Sequence, residues 1–120
     1  MNTQALVNTL SLLRLRTQPD EWQLHTLLRQ FFDEQGIPYQ AEYVLAPRCR
    51  IDFLIGTIGL EVKRGHPRAR NVARQLSRYA ESAEIQSLVL LSEHTLSLPK
   101  TFYGKPLYQV SLSRLWGIAL

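Results

Sequence analysis

Two periods of apolar residues run along this chain, and the switches between them mark its elements. In "EWQLHTLLRQFFDEQ", Leu24, Leu27, Leu28 and Phe31 recur at the three- and four-residue spacing of one helix face. Pro19 suits the first turn of that helix, Asp20 and Glu21 suit its positive end, and Gly36 stops it. A leucine-rich first helix is expected from about Thr3 to Leu15, and a third in "ARNVARQLSRYAESA" with Val72, Leu76 and Ala80 inward. Between them "PYQAEYVLA" reads as a strand, followed by two more in residues 50–65. "IQSLVLLSE" is a continuous apolar run, as in a strand covered on both faces. A polar loop through "HTLSLPKTFYGK" leads to a last strand, "PLYQVSL", and a short helical end at "SRLWGIAL". The expected order is α-α-β-β-β-α-β-β-α, an α/β fold with a mixed central sheet flanked by helices.

The segment "RIDFLIGTIGLEVKRG" sets two strands around a turn. Strict alternation directs Ile51, Phe53 and Ile55 to one face of the first strand, and Ile58, Leu60 and Val62 to the same face of the second. Only an even-length connection keeps both apolar sets together, and Gly56-Thr57 suits a two-residue type II′ turn. That register pairs Ile55 with Ile58, Phe53 with Leu60 and Ile51 with Val62. It sets Asp52 opposite Glu61, and Lys63 beyond them opposite Arg50. Directly opposed Cβ atoms lie roughly 5 Å apart, where like charges repel. Two carboxylates held so close call for a proton, a cation or a metal.

At 120 residues, with 45% hydrophobic and 20% charged residues, the chain fits one globular domain. Cys49 is the single cysteine, so an intrachain disulfide and a four-cysteine zinc site are excluded; His25, His66 and His94 show no ligand spacing, which excludes a Cys/His zinc site, and a reducing, cytoplasmic setting fits. The N-terminal "ALVNTLSLLRLR" is too short and polar to span a membrane, and no positive charge precedes it as in a secretory signal. Its two arginines without an acid also fit a weak targeting helix; a helix over residues 1–16 that caps the domain or mediates dimer contacts accounts for it better. The net charge of +4 is modest but uneven. From Arg48 to Arg78, eight basic side chains face only Asp52 and Glu61. Such a field suits polyanions, and equally a solvated basic face.

A hairpin face with Asp52, Glu61 and Lys63 is a sufficient set for cutting phosphodiesters. Carboxylates bind Mg²⁺, which prefers oxygen ligands, and a lysine beside the metal can orient a water. An ordinary ion-pair ladder is the other reading, and it leaves the excess of arginine unexplained.

On Asp52 followed by "EVK", the segment resembles the core of the PD-(D/E)XK nuclease superfamily, which includes restriction endonucleases, Holliday-junction resolvases and repair exonucleases. The resemblance spans about residues 19–93, leaving 94–120 as a C-terminal strand and short helix. It implies a restriction endonuclease-like αβββαβ core. The leading proline of the motif is absent, and Ile51 stands there. The resemblance implies that Asp52, Glu61 and the Val62 backbone carbonyl bind Mg²⁺ or Mn²⁺, that Lys63 assists the attacking water, and that hydrolysis leaves 5′-phosphate ends. Glu21 is the candidate for a further metal-side acid, or simply an acid at a helix N-terminus. "QLSRY" supplies a Gln75/Tyr79 pair at i and i+4, although Tyr79 also fits the rim of the core. Arg50, Arg64, Arg68, Arg70, Arg74 and Arg78 are the candidates for gripping nucleic-acid phosphates, most simply those of DNA. A homodimer or a larger complex suits so small a nuclease. Two alternatives stay open: a catalytically inactive nuclease-fold module that binds nucleic acid or recruits partners, and a structural adaptor whose basic face binds acidic protein.

Overall fold

A computed structural model of the chain describes residues 1–15 and 18–114. Its elements are helices α1 (Thr3–Leu10) and α2 (Glu21–Glu34), strands β1 (Gln40–Ala46), β2 (Cys49–Ile55) and β3 (Ile58–Lys63), helix α3 (Ala69–Ala80), and strands β4 (Ser87–Ser92), β5 (Thr101–Phe102) and β6 (Lys105–Ser111). The strands form one mixed six-stranded sheet in the order β1-β2-β3-β4-β6-β5. Hairpins make β1, β2 and β3 antiparallel neighbours, while β3, β4 and β6 run parallel. The β3–β4 pair is joined through α3, as a parallel pair requires a crossover.

Helices cover both faces of the sheet. Leu6 and Leu10 of α1 and Leu24, Leu28, Phe31 and Phe32 of α2 pack with Phe53, Leu60, Val62, Val89 and Leu91. Val72, Leu76, Tyr79 and Ala80 of α3 pack on the opposite face with Ile51, Leu54, Leu88 and Leu90. Alternate residues of β4 thus serve two cores, and all six are buried, as its apolar run predicts. No helix among the described residues is long and apolar enough to cross a membrane.

Several element boundaries differ from expectation. Helix α1 ends at Leu10 rather than Leu15, where the Thr9 and Ser11 hydroxyls donate to the carbonyls of Ala5 and Val7. Such side chains compete with the helical ladder. Leu13 and Leu15 are buried all the same, beyond the helix. Leu6 and Leu10 of α1 lie in the core, and the helix packs against β4 and β6. Pro19 precedes the first turn of α2: Asp20 is the N-cap, accepting from the Gln23 N–H at 2.7 Å while the Gln23 side chain answers the Asp20 N–H at 2.9 Å. Leu27 is 38% exposed, and Phe32 takes its place in the core. The loop before β6 contains β5, a strand of two residues that the polar pattern hides. Beyond a 3₁₀ turn at Leu112–Arg114, the rest of the expected C-terminal helix lies outside the described residues.

The β2–β3 hairpin keeps the expected turn and inner register. Ile55 pairs with Ile58 and Phe53 with Leu60, and Gly56 has φ +63° while Thr57 stays out of the left-handed region, the pattern of a type II′ turn. The expected alternation then fails at Asp52, and the Ile51–Val62 pair does not form. Ile51 belongs to the α3-side core, whereas Phe53, two residues on, belongs to the other. Strand β1 turns over beside it: Ala41 packs with the α2 side and Tyr43 with the α3 side, across Glu42 at φ +51°. Both strands therefore change face together at Glu42 and Asp52.

Ile51 now reaches across β3 over Gly59. A Cβ on Gly59 would meet Ile51 Cδ1 at 2.5 Å and Ile85 Cδ1 at 2.9 Å. Gly59→Ala is expected to destabilise the domain by about 1–3 kcal/mol through overpacking. A urea midpoint that does not fall would show that Ile51 has room to move.

Candidate active site

The site grows out of the point where β2 and β3 part. Their backbone pairing ends at Phe53–Leu60, so Asp52 and Glu61 do not form the directly opposed ladder pair that the register predicts. The acid side chains take over the hydrogen bonding instead. Asp52 Oδ2 accepts the Val62 N–H at 2.8 Å, and Glu61 Oε1 accepts the Asp52 N–H at 3.3 Å. Each carboxylate thus reaches across to the other strand's backbone. Lys63 turns to Glu61, with Nζ 3.3 Å from Oε2, rather than standing opposite Arg50 in the ladder.

Glu61 is 3% exposed. Burial, and then the charge of Asp52, push its carboxyl up to about 7, against the pull of Lys63 and of the Asp52 N–H. From α2, His25 Nε2 lies 3.6 Å from Asp52 Oδ2, buried and without a hydrogen-bond partner. At that distance the contact is electrostatic, and it raises the imidazole above its ordinary value against the opposing effect of burial. Tyr79 of α3 donates its hydroxyl proton to the Arg50 carbonyl at 3.1 Å. Burial first, and then the Glu61 carboxylate, hold that phenol protonated.

These groups open onto a cleft of about 640 Å³ between α2 and α3. Asp52, Glu61 and Lys63 line it, with Arg50 from β2 and Gln75 from α3. Glu21 stands at its rim as the exposed first residue of α2. Tyr79 lies behind the cleft wall, in contact with Glu61 and with the backbone of Arg50. The arginines are spread more widely than the site. Arg68, Arg70, Arg74 and Arg78 are exposed along α3, with Arg78 donating to the Arg48 carbonyl at 3.2 Å. Arg64 is held by structural partners: its Nε donates to the Pro19 carbonyl at 2.9 Å and its Nη1 lies 3.1 Å from Glu93.

His25 is the residue that the sequence pattern undervalues. Its one signal is the i+4 spacing from Glu21, and only the fold brings it to Asp52. Among the described residues no three His, Cys, Asp and Glu side chains converge as a complete metal cage. Glu61, its carboxyl pushed up to about 7 by burial and by the charge of Asp52, together with Asp52 and a buried imidazole nitrogen without a hydrogen-bond partner, nevertheless fits a hard cation that keeps part of its water shell. No family model, curated protein or solved structure matches the chain.

Because the folded-state value of Glu61 lies above 4.5, the folded protein binds that proton more tightly than the unfolded chain. The resulting stability is present below pH 4.5 and is lost as pH rises to about 7; the raised His25 value extends the loss above pH 6.5. Thermal unfolding in chelator is therefore expected at lower temperature at pH 8 than at pH 5. Glu61→Gln should remove most of the difference, gaining about 1–3 kcal/mol over the parent at pH 8. An unchanged pH profile in that variant would show that Glu61 titrates normally.

Proposed function

We propose that the chain is a divalent-metal-dependent nuclease of the PD-(D/E)XK type, built on a restriction endonuclease-like αβββαβ core and acting on DNA. The observation that carries this reading is the convergence of Asp52, Glu61 and Lys63 at the parting of β2 and β3, with a buried carboxylate that lacks enough positive charge to ionise freely. The order α2-β1-β2-β3-α3-β4 is also the order that the resemblance implies.

Asp52, Glu61 and the Val62 carbonyl would hold Mg²⁺ or Mn²⁺, with Glu21 at the rim and His25 as an added neighbour. When bound, the ion supplies a water of lowered pKa and positive charge beside the phosphate. The remaining work belongs to the chain. Lys63, tethered by Glu61, is set to orient the attacking water and steady charge developing on the phosphate. Tyr79 fixes the β2 backbone at Arg50, two residues before Asp52. Gln75 contributes a neutral donor to the cleft wall, and Arg50 and the α3 arginines attract the polyanionic backbone.

The decisive experiment is incubation with supercoiled, linear and branched DNA under Mg²⁺, Mn²⁺ or chelator. Cutting is expected with either ion and absent with chelator, leaving 5′-phosphate ends. It should fall to background in Glu61→Ala and by about 10²-fold or more in Lys63→Ala. No metal-dependent cutting of any substrate, or cutting indifferent to Glu61→Ala, overturns the proposal. Binding without cutting would assign the fold a binding-only role.

Phosphate contacts by the α3 arginines carry their own signature. In chelator, DNA affinity is expected to fall steeply with salt, and Arg74→Ala should lower the log–log slope by about one while weakening all sequences alike. A slope unchanged by Arg74→Ala places that arginine outside the interface.

A further inference from the structure

The α2 wall of the cleft carries a group that phosphodiester chemistry does not need. Trp22 is 76% exposed, the most exposed large hydrophobic side chain among the described residues, and it lines the same cleft as Asp52 and Glu61. It lies off the helix stripe that enters the core, which runs through Leu24, Leu28 and Phe31. Trp22, Thr26 and Arg29 repeat at i, i+4 and i+7, so they form one face, and all three line the cleft. Arg29 is itself steadied by Glu42, 3.6 Å away on β1.

An indole left in water, in the same lining as Asp52 and Glu61, forgoes the burial that an amphipathic helix offers it. Its flat face suits a planar partner, and nucleobases stack on such faces without regard to sequence. The facing charge differs in kind: Arg50 of β2 and Gln75 of α3 share the lining and suit phosphates, while the arginines of α3 are exposed outside it. One cleft therefore offers charge to a backbone through Arg29 and Arg50 and a flat apolar face to a base through Trp22, in the same lining as Asp52 and Glu61. A base in continuous duplex has both faces covered by its neighbours and offers none to Trp22.

We infer that Trp22 is a stacking platform for an unpaired base next to the scissile phosphate, making the preferred substrate a nucleic acid with a single-stranded, flapped or frayed segment. The position beside a scissile phosphate rests on the nuclease reading, but the stacking itself needs no chemistry, so binding in chelator tests it separately. The probes are a labelled single-stranded DNA oligonucleotide and a blunt duplex of the same sequence, read by fluorescence anisotropy. Trp22→Ala is expected to weaken single-strand binding about tenfold or more while changing duplex binding less than about twofold. Trp22→Phe should recover most of the loss. Single strand should quench intrinsic fluorescence in the parent but not in Trp22→Phe, which retains Trp116. Equal losses on both probes, no loss on the single strand, or no binding of the single strand by the parent would overturn the inference. A Trp22→Ala change confined to oligomeric state would also overturn it, by placing the indole in a contact between copies. Absence of cleavage with metal, alongside selective loss of single-strand binding in Trp22→Ala, would leave the stacking site standing and remove only the nuclease reading.

Discussion

The exchange of backbone pairing for carboxylate pairing between β2 and β3 is the constraint on which the rest of the site depends. Past Phe53–Leu60 the ladder stops, and the amides of Asp52 and Val62 need other acceptors. Each finds one in an acid on the neighbouring strand. The acids are therefore part of the sheet as well as of the cleft. Their carboxylates cannot swing out to solvent without leaving a backbone N–H unsatisfied, which gives the pair fixed positions at the cost of close like charge. A rigid negative pair of this kind is a good floor for a cation and a poor one for an empty, low-dielectric pocket.

That electrostatic tension is distributed unevenly. Lys63 relieves Glu61 from one side, and His25 approaches Asp52 from the α2 layer. Neither relief is complete, because burial still favours a proton on Glu61. Breaking a buried charge arrangement by removing one partner is costly, and well-packed apolar replacements often do better for stability alone. A chain selected only to fold has simpler solutions for residue 61, such as the valines and leucines that fill the adjacent positions of β3 and β4. On the proposed reading the arrangement is a compromise between folding and chemistry.

Much of the hairpin and the sheet is legible in the residues themselves. The isoleucines, Phe53 and Leu60 determine the inner hairpin register, Gly56 its turn, and the run through Leu88–Leu91 a strand buried on both faces. The co-location of Asp52, Glu61 and Lys63 follows from that register. Strict alternation, however, does not continue to the end of the strands. The turnover at Asp52 depends on Glu42 taking a left-handed backbone conformation on the neighbouring strand, and glutamate carries no local signal for it. The same limit hides the short β5, whose two residues have no period to read. It also hides the early end of α1, where Thr9 and Ser11 decide against a leucine pattern that continues to Leu15. The role of His25 is silent in the pattern because its partner lies on a distant strand, and helix periodicity says only which side the imidazole occupies.

The turnover explains how one strand end touches both helix layers. With strict alternation, Ile51 and Phe53 would share the α2-side core, and β2 would present Asp52 wholly to the α3 side. Because β1 and β2 change face together, Asp52 sits at the crossover, within reach of His25 on α2, while the carbonyl of Arg50, two residues before it, is tied to Tyr79 on α3. One residue thereby joins both helix layers at the end of the sheet. The same step carries Ile51 over Gly59, so the packing that permits the crossover lies two positions from Glu61. Sheet geometry and site chemistry are in this sense a single feature: the register brings the acids together, the turnover sets Asp52 between the two helix layers, and Ile51 of the turned strand packs closely over Gly59.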